Sequence, residues 1–156
     1  MHQNNQGISM IMLVIAIVVM IIIISIIMNS SLTSIEEVEM VKIEEEISNL
    51  TDAVNDRIAN YERNSKAYPL LGKVIGDDIF IYIRSIDYLE SDEITRLITK
   101  INLSYSEENR DLYRVIGNKE AQLLGVSNVD TEHYYVVDYH EGEVYGPVSL
   151  DLISEE

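Results

Sequence analysis

Hydrophobic residues are distributed very unevenly along the chain, and the longest apolar stretch lies near its N-terminal end. From Ile8 to Met28 the sequence is apolar except for Ser9 and Ser25, and it contains no charged residue. About 20 apolar residues in a helix span the roughly 30 Å of hydrocarbon in a bilayer. The pattern therefore predicts a membrane-spanning helix over residues 8–28.

After residue 28 the apolar positions take up the spacing of an amphipathic helix. They recur every three or four residues, at Ile35, Val38, Val41, Ile47, Leu50, Val54, Ile58 and Tyr61. The positions between them carry acidic residues, namely Glu36, Glu37, Glu39, Glu44, Glu45 and Glu46. We interpret this acidic side as a solvated helix face. Because neither Gly nor Pro occurs between Ile8 and Pro69, the helix is expected to continue over residues 29–66; a coiled-coil stalk is the alternative interpretation.

The remaining residues, 67–156, alternate short helical and strand-like patterns and predict a small α+β globular domain. Strands are expected at residues 78–84, 111–116, 133–139 and 143–145, the last two joined by a turn at Gly142. Helices are expected at residues 91–101 and 119–124, the second stopped by Gly125. The predicted fold is thus a long N-terminal helix, membrane-spanning and then amphipathic, packed on a small antiparallel sheet.

Charge and cysteine content exclude several classes of function. The formal net charge is −16 over 156 residues, and every acidic residue follows residue 35. Such a surface repels nucleic-acid phosphates, so we expect no nucleic-acid partner. The chain has no cysteine, which excludes disulfides, thiolate metal sites and cysteine catalysis.

The sequence contains no pattern from which a catalytic, cofactor or metal site can be argued. Carboxylates spread along a helix face do not converge on one cation, and no D-x-D-x-D-G loop is present. His133 and His140 fall on opposite faces of a predicted strand, so we interpret them as surface residues near a hairpin turn. We therefore expect no enzyme, no cofactor and no bound metal.

The N-terminal residues resemble a known signal. Gly7, followed by the apolar sequence of residues 8–17 (ISMIMLVIAI), resembles the class III signal of type IV pilins and pseudopilins. The likeness is greatest to the G-I-S-L-I-V-L-x-I-T-I form of pilin-like proteins from Gram-positive bacteria. Residues 135–145 also resemble the V-x-Y-x-T-G-E-V-Y hairpin of such proteins, as does the preceding turn at residues 123–125.

This resemblance implies processing and assembly. Residues 1–7 would be a leader that a membrane-bound prepilin peptidase removes after Gly7, leaving Ile8 as a methylated N-terminus. The apolar helix would then pack into a filament core with copies of itself or with other pilin-like subunits. The packing residues that the resemblance implies are Met12, Leu13, Val14, Ile15, Ile17, Val18, Ile21 and Ile22. The protein would be a single-pass membrane protein with its C-terminal domain outside the cytoplasm, or part of a cell-surface filament.

Two departures from the family pattern and one alternative function follow from the same residues. Gln6 replaces the usual basic residue before the glycine, and Met12 replaces a Glu that many pilins carry. Met12 favours a minor subunit of a secretion or DNA-uptake pseudopilus over a long fibre. The alternative function is that of an unprocessed, membrane-anchored binding or sensor domain. Gly7 distinguishes this alternative from the filament subunit, because a plain membrane anchor does not need a glycine beside the helix.

Overall fold

A computed structural model of the chain describes the backbone of residues 4–153 and the side chains of residues 10–27 and 36–153. Its contacts group into two units, Met1–Lys42 and Ile43–Glu156. Within the described residues, the elements in chain order are α1 (Asn4–Arg63), β1 (Lys73–Val74), α2 (Ile79–Arg84), α3 (Ser91–Ser104), β2 (Tyr113–Ile116), α4 (Asn118–Leu123), β3 (Tyr135–Asp138) and β4 (Glu143–Tyr145). Short 3-10 turns lie at Gly76–Asp78, Arg110–Leu112 and Leu150–Leu152.

The first unit consists of the N-terminal part of α1. The helix runs without interruption through the apolar stretch and the acidic stretch that follows it. Every side chain described in residues 10–27 and 36–42 is exposed. This unit therefore contributes no buried core of its own among the described residues.

The second unit is built around one antiparallel sheet. Among residues 43–153 the sheet has four strands in the order β1-β2-β3-β4. The central pair aligns Tyr113 with Asp138 and Ile116 with Tyr135, and β3 continues into β4 through a hairpin. All four residues of β3 are buried, because helices cover both faces of the sheet.

The last five turns of α1 cover one face of the sheet. Leu50 and Val54 are fully buried there and pack with Tyr135 and Val137 of β3 and Val144 of β4. Their spacing of four residues, extended by Ile47 and Ile58, places them on a single side of the helix. The amphipathic period of the sequence thus corresponds to a real helix–sheet interface.

Helices α2 and α3 cover the other face of the sheet. Ile79 and Ile83 of α2 and Ile101 of α3 pack there with Tyr113 of β2 and Val136 of β3. The side chains of β3 alternate between this cluster and the one against α1, as the two-residue period of a strand requires. The α+β prediction, with a long helix packed on a small antiparallel sheet, is confirmed.

Most predicted elements of the domain are present, but one prediction, a strand at residues 78–84, is wrong. The predicted helices correspond to α3 and α4, and three predicted strands correspond to β2, β3 and β4. Residues 78–84, predicted as a strand, instead form the end of a 3-10 turn and helix α2. The β-branched and aromatic residues suggested a strand, yet the buried side chains are Ile79, Tyr82, Ile83 and Ile86. Their spacing is helical, so packing overrides the intrinsic strand preference.

The hairpin turn approaches α1 so closely that only glycine fits at its tip. Gly142 has φ +72°, and a Cβ there would lie 2.3 Å from Oδ1 of Asn55. The Asn55 amide also donates a hydrogen bond of 3.0 Å to the Gly142 carbonyl oxygen. This contact fixes the distal end of the β3–β4 hairpin against the helix.

The α1–sheet interface predicts a specific mutational cost. Leu50→Ala removes a fully buried side chain and should lower the free energy of unfolding by about 2–5 kcal/mol. The matched control is Leu103→Ala, whose side chain is 86% exposed, with an expected change within about 0.5 kcal/mol. Urea unfolding of the full chain in detergent, followed by tyrosine near-UV circular dichroism, measures both. Equal losses in the two variants would contradict this packing.

Candidate membrane and assembly segment

The N-terminal part of α1 presents an apolar surface that nothing in the structure covers. Its large apolar side chains between Met10 and Ile27 are 47–73% exposed. The one polar side chain in this range, Ser25, donates a 2.9 Å hydrogen bond to the Ile21 carbonyl oxygen, so its hydroxyl is satisfied within the helix. A soluble monomer rarely exposes a contiguous apolar surface of this extent. The segment therefore requires lipid or other apolar helices around it.

The residues predicted to pack in a filament core all lie within this exposed range. They are Met12, Leu13, Val14, Ile15, Ile17, Val18, Ile21 and Ile22. Consecutive members such as residues 12–15 point about 100° apart around the helix axis, so the apolar surface encircles the helix rather than forming one stripe. A surface of this kind suits a helix surrounded on all sides.

By length and composition the window Met10–Ile27 fits a membrane span. An N-terminal signal sequence has the same properties, so the helix alone is compatible with either. The predicted cleavage position, Gly7, and the residue after it, Ile8, both belong to the backbone of α1. Residues 1–3 of the predicted leader lie outside the described residues.

A buried carboxylate fastens α1 to the sheet domain. Glu46 is 0% exposed. Its Oε2 accepts a 2.5 Å hydrogen bond from the Tyr135 hydroxyl and lies 2.7 Å from Nδ1 of His133. Its Oε1 accepts a 3.0 Å hydrogen bond from the backbone N–H of Asp130. Both oxygens are thus satisfied by the segment that leads into β3, more than 80 residues away in the chain.

The Tyr135 hydroxyl is a hydrogen-bond donor in this arrangement. Burial, reinforced by the hydrogen bond to Glu46 and by its charge, raises the pKa of the Tyr135 hydroxyl far above its ordinary value. Tyr135 therefore stays protonated and donates. The ring of His133 also packs edge-on against that of Tyr135, with centroids 6.2 Å apart, which orients the imidazole toward the carboxylate. The cluster of Glu46, His133 and Tyr135 is a polar lock between helix and sheet.

Two predictions about these residues are wrong. Glu46 was assigned to the solvated helix face, but it lies three residues after Ile43 and four before Leu50, on the buried side. His133 was interpreted as a surface residue, but only 16% of its side chain is exposed and it contacts Glu46. His140, with 46% of its side chain exposed, does lie in the hairpin turn as predicted. The spacing of Glu46 from Ile43 and Leu50 is the signal in the sequence that places its side chain on the buried side.

A second carboxylate organises the β3–β4 hairpin. Oδ1 of Asp138 accepts hydrogen bonds from the backbone N–H groups of His140 (2.9 Å) and Glu141 (3.1 Å), which shapes the turn. Oδ2 is buried and has no hydrogen-bond partner among the described residues. Burial therefore raises the pKa of the Asp138 carboxyl, although the two backbone hydrogen bonds oppose the shift.

The opposite residue in the hairpin, Glu143, has the reverse environment. Partial burial alone would raise its pKa, but hydrogen bonds from Lys100 and Tyr145, with the lysine's charge, outweigh burial and lower it. Lys100 of α3 lies 2.6 Å from one carboxylate oxygen and 2.7 Å from the other. This pair attaches α3 to the edge strand β4.

Neither carboxylate belongs to a group that could hold a metal ion. Within the described part of the chain, no three His, Cys, Asp or Glu side chains converge in that way. The polar clusters of the domain have structural roles in the contacts described above. The surface that needs a partner is the apolar segment of α1.

No protein-family model, curated protein or solved structure matches the chain. The chain has a pilin-like architecture, in which an N-terminal apolar helix continues into a long helix and a small four-stranded antiparallel sheet follows within the described residues.

The polar lock predicts a large difference between neighbouring glutamates. Glu46→Ala leaves the Tyr135 hydroxyl, the His133 ring and the Asp130 N–H without their acceptor, and should cost about 3–5 kcal/mol in the free energy of unfolding. Glu45→Ala, one residue away and exposed, should change it by no more than about 0.5 kcal/mol. Urea unfolding of the full chain in detergent measures the difference. A Glu46→Ala loss no larger than that of the control would show that the lock does not exist.

The raised pKa of the Asp138 carboxyl predicts that the stability of the protein depends on pH. Its folded pKa is raised, so the folded state binds this proton more tightly than the unfolded chain. The resulting stabilisation is complete below the unfolded pKa of about 3.9 and is lost as pH rises through the raised folded pKa. Asp138→Asn keeps an oxygen acceptor for the turn but removes the titration. The free energy of unfolding of Asp138→Asn should therefore lack the decrease that the titration of Asp138 causes as pH rises, whatever its absolute value.

The control for this titration is Asp52→Asn, which changes an exposed aspartate of α1. Its pH profile should follow that of the unaltered chain. Free energies of unfolding measured at steps between pH 4 and pH 8 compare the three proteins. Parallel profiles for the unaltered chain and Asp138→Asn would refute the raised pKa.

Proposed function

We propose that the chain is a structural subunit of a type IV pilin-like filament, either a pilus or a pseudopilus. A prepilin peptidase cleaves it after Gly7, and Ile8 becomes the methylated N-terminus. The exposed apolar helix then leaves the bilayer and packs with the helices of other subunits. Two observations carry this proposal: an apolar surface encircles α1 over the described residues 10–27, and the apolar run of the sequence begins directly after Gly7.

The composition of the helix supports packing among many helices. The range of residues 8–28 lacks a small-xxx-small pattern of the kind that brings two membrane helices into close contact. Bulky Ile, Val and Met side chains cover all sides instead. A core of several helices can bury such a surface completely, whereas a pairwise contact buries only one side.

The proposal includes a location and a set of partners. The N-terminal helix resides in the membrane before assembly, and the C-terminal domain lies outside the cytoplasm. The partners are the membrane, prepilin peptidase and other pilin-like subunits, including copies of this chain. The acidic net charge argues against a nucleic-acid partner, and the role is structural rather than enzymatic.

Changing Gly7 tests the processing step. In membranes that contain a prepilin peptidase, the unaltered chain should yield a protein beginning at Ile8 with one added methyl group. Gly7→Val places a bulky β-branched residue at the cleavage position and should abolish that product. The adjacent change Gln6→Ala is the matched control and should leave processing intact. Intact-mass spectrometry of the purified proteins gives the N-terminus in each case.

Two other results would overturn the proposal in different ways. An unaltered chain that still begins at Met1 would be an unprocessed, membrane-anchored domain with a binding or sensor role. A chain that begins after Met28 would have lost the helix as a secretory signal. In either case the apolar segment could not form a filament core by this route.

A further inference from the structure

Part of α1 between the apolar segment and the domain is both acidic and apolar at its surface. Residues 36–41, here named the acidic segment, read Glu-Glu-Val-Glu-Met-Val and contain no basic residue. All six side chains are exposed, and Val38 and Val41 are 70% and 62% exposed. The two valines are three residues apart and share one side of the helix. The acidic segment thus combines two exposed valine side chains on one side of the helix with three negative charges.

The second unit carries a surface of the opposite character. We name it the basic aromatic patch, and it consists of Arg57, Tyr61, Lys66, Tyr68, Lys119 and Leu123. Tyr61, Tyr68 and Leu123 are 37%, 44% and 68% exposed, and Lys66 and Lys119 are exposed as well. Three positive charges here stand out in a chain whose net charge is −16.

Contacts of Arg57 link two other members of the basic aromatic patch, and the remaining members lie close to these in the sequence. The Arg57 guanidinium lies 5.9 Å from the centroid of the Tyr68 ring and donates a 3.1 Å hydrogen bond to the Leu123 carbonyl oxygen. Lys119 lies one helical turn before Leu123 on the same side of α4. Lys66 precedes Tyr68 by two residues in the exposed loop after α1. The patch therefore joins residues from the end of α1, the following loop and α4.

The acidic segment and the basic aromatic patch match in two independent respects. Glu36, Glu37 and Glu39 oppose the charges of the patch, although Asp56 and Glu62 flank it on α1. In addition, both surfaces expose apolar side chains, whose contact with water is unfavourable. Charge complementarity of this kind sets partner choice and register more than affinity.

We infer that the acidic segment of one copy docks on the basic aromatic patch of a neighbouring copy in the assembled filament. The inference rests on the proposed function and specifies one contact between neighbouring subunits. Two copies that meet through the same surface would place acidic segment beside acidic segment, so the complementary contact needs two different surfaces of the neighbouring copies. Such a heterologous contact leaves one free surface of each kind on every added copy, which is the type of interface that an open filament needs.

The contact is an aligning interaction, and the apolar helices supply the main association. Exposed ion pairs contribute little individually and are screened by salt. The contact should therefore weaken as ionic strength rises, while the filament core persists. Before assembly, copies at equal height in the membrane repel one another through their acidic segments, which disfavours the parallel in-register arrangement.

Disulfide crosslinking between copies tests the docking directly, because the chain has no native cysteine. Met40→Cys places a thiol in the acidic segment, and Ala67→Cys places one between Lys66 and Tyr68 without removing a charge. The two full-length variants carry different tags and are produced together in membranes with prepilin peptidase and assembly proteins. After mild oxidation, the disulfide joining positions 40 and 67 of two chains should exceed both like-to-like disulfides.

Charge reversal supplies the control for specificity. Lys66→Glu with Lys119→Glu, introduced beside Ala67→Cys, should lower the yield of that disulfide about fivefold or more, because attraction becomes repulsion. Combining it with Glu36→Lys and Glu39→Lys in the Met40→Cys chain should restore the yield. Lys73→Glu with Arg84→Glu, charge changes of equal size outside the patch, should leave the yield unchanged.

Each remaining outcome refutes the docking, and the N-terminal mass separates it from the proposed function. Assembled chains that begin at Ile8 but crosslink only between like positions, or not at all, refute the docking and leave the filament role intact. A disulfide that persists after charge reversal refutes the electrostatic match. Chains that keep Met1 refute the filament role and the docking with it.

Discussion

The uninterrupted apolar surface of α1 from Met10 to Ile27 is the constraint on which the rest of this protein depends. At about 25 cal/mol per Å², exposing such a surface to water is far too costly for a stable soluble monomer. The helix must therefore be surrounded by lipid or by other helices. Because the apolar surface encircles the helix axis, a single partner helix could not cover it.

The domain is attached to this helix by two kinds of contact that differ in their physical basis. Leu50 and Val54 bury apolar surface against the sheet, which stabilises the interface. Glu46 accepts directional hydrogen bonds from the segment leading into β3, and a slip of one residue along α1 would leave its buried oxygens without these donors. Apolar burial and the polar lock together hold the C-terminal part of α1 against the sheet.

The sequence was sufficient for features that depend on local pattern. The apolar run, the amphipathic period of α1 and the β3–β4 hairpin each reflect a periodicity that packing then exploits. Residues 78–84 show where this reasoning fails, since their strand-forming side chains pack with helical spacing against the sheet. Glu46 was misjudged because residue type was given more weight than position, and His133 because its partner lies 87 residues earlier. Such long-range pairings leave no signal in a single sequence.

The central claim is that the apolar helix ends among the helices of other copies. A spin label on Met20→Cys tests it most directly, because the chain has no native cysteine and Met20 is 68% exposed. In material assembled after processing, labels on neighbouring helices packed about 8–10 Å apart should show strong dipolar broadening in the electron paramagnetic resonance spectrum. Dilution with unlabelled chain should remove the broadening. A spectrum of isolated labels at full labelling would contradict the claim and leave a solitary membrane anchor.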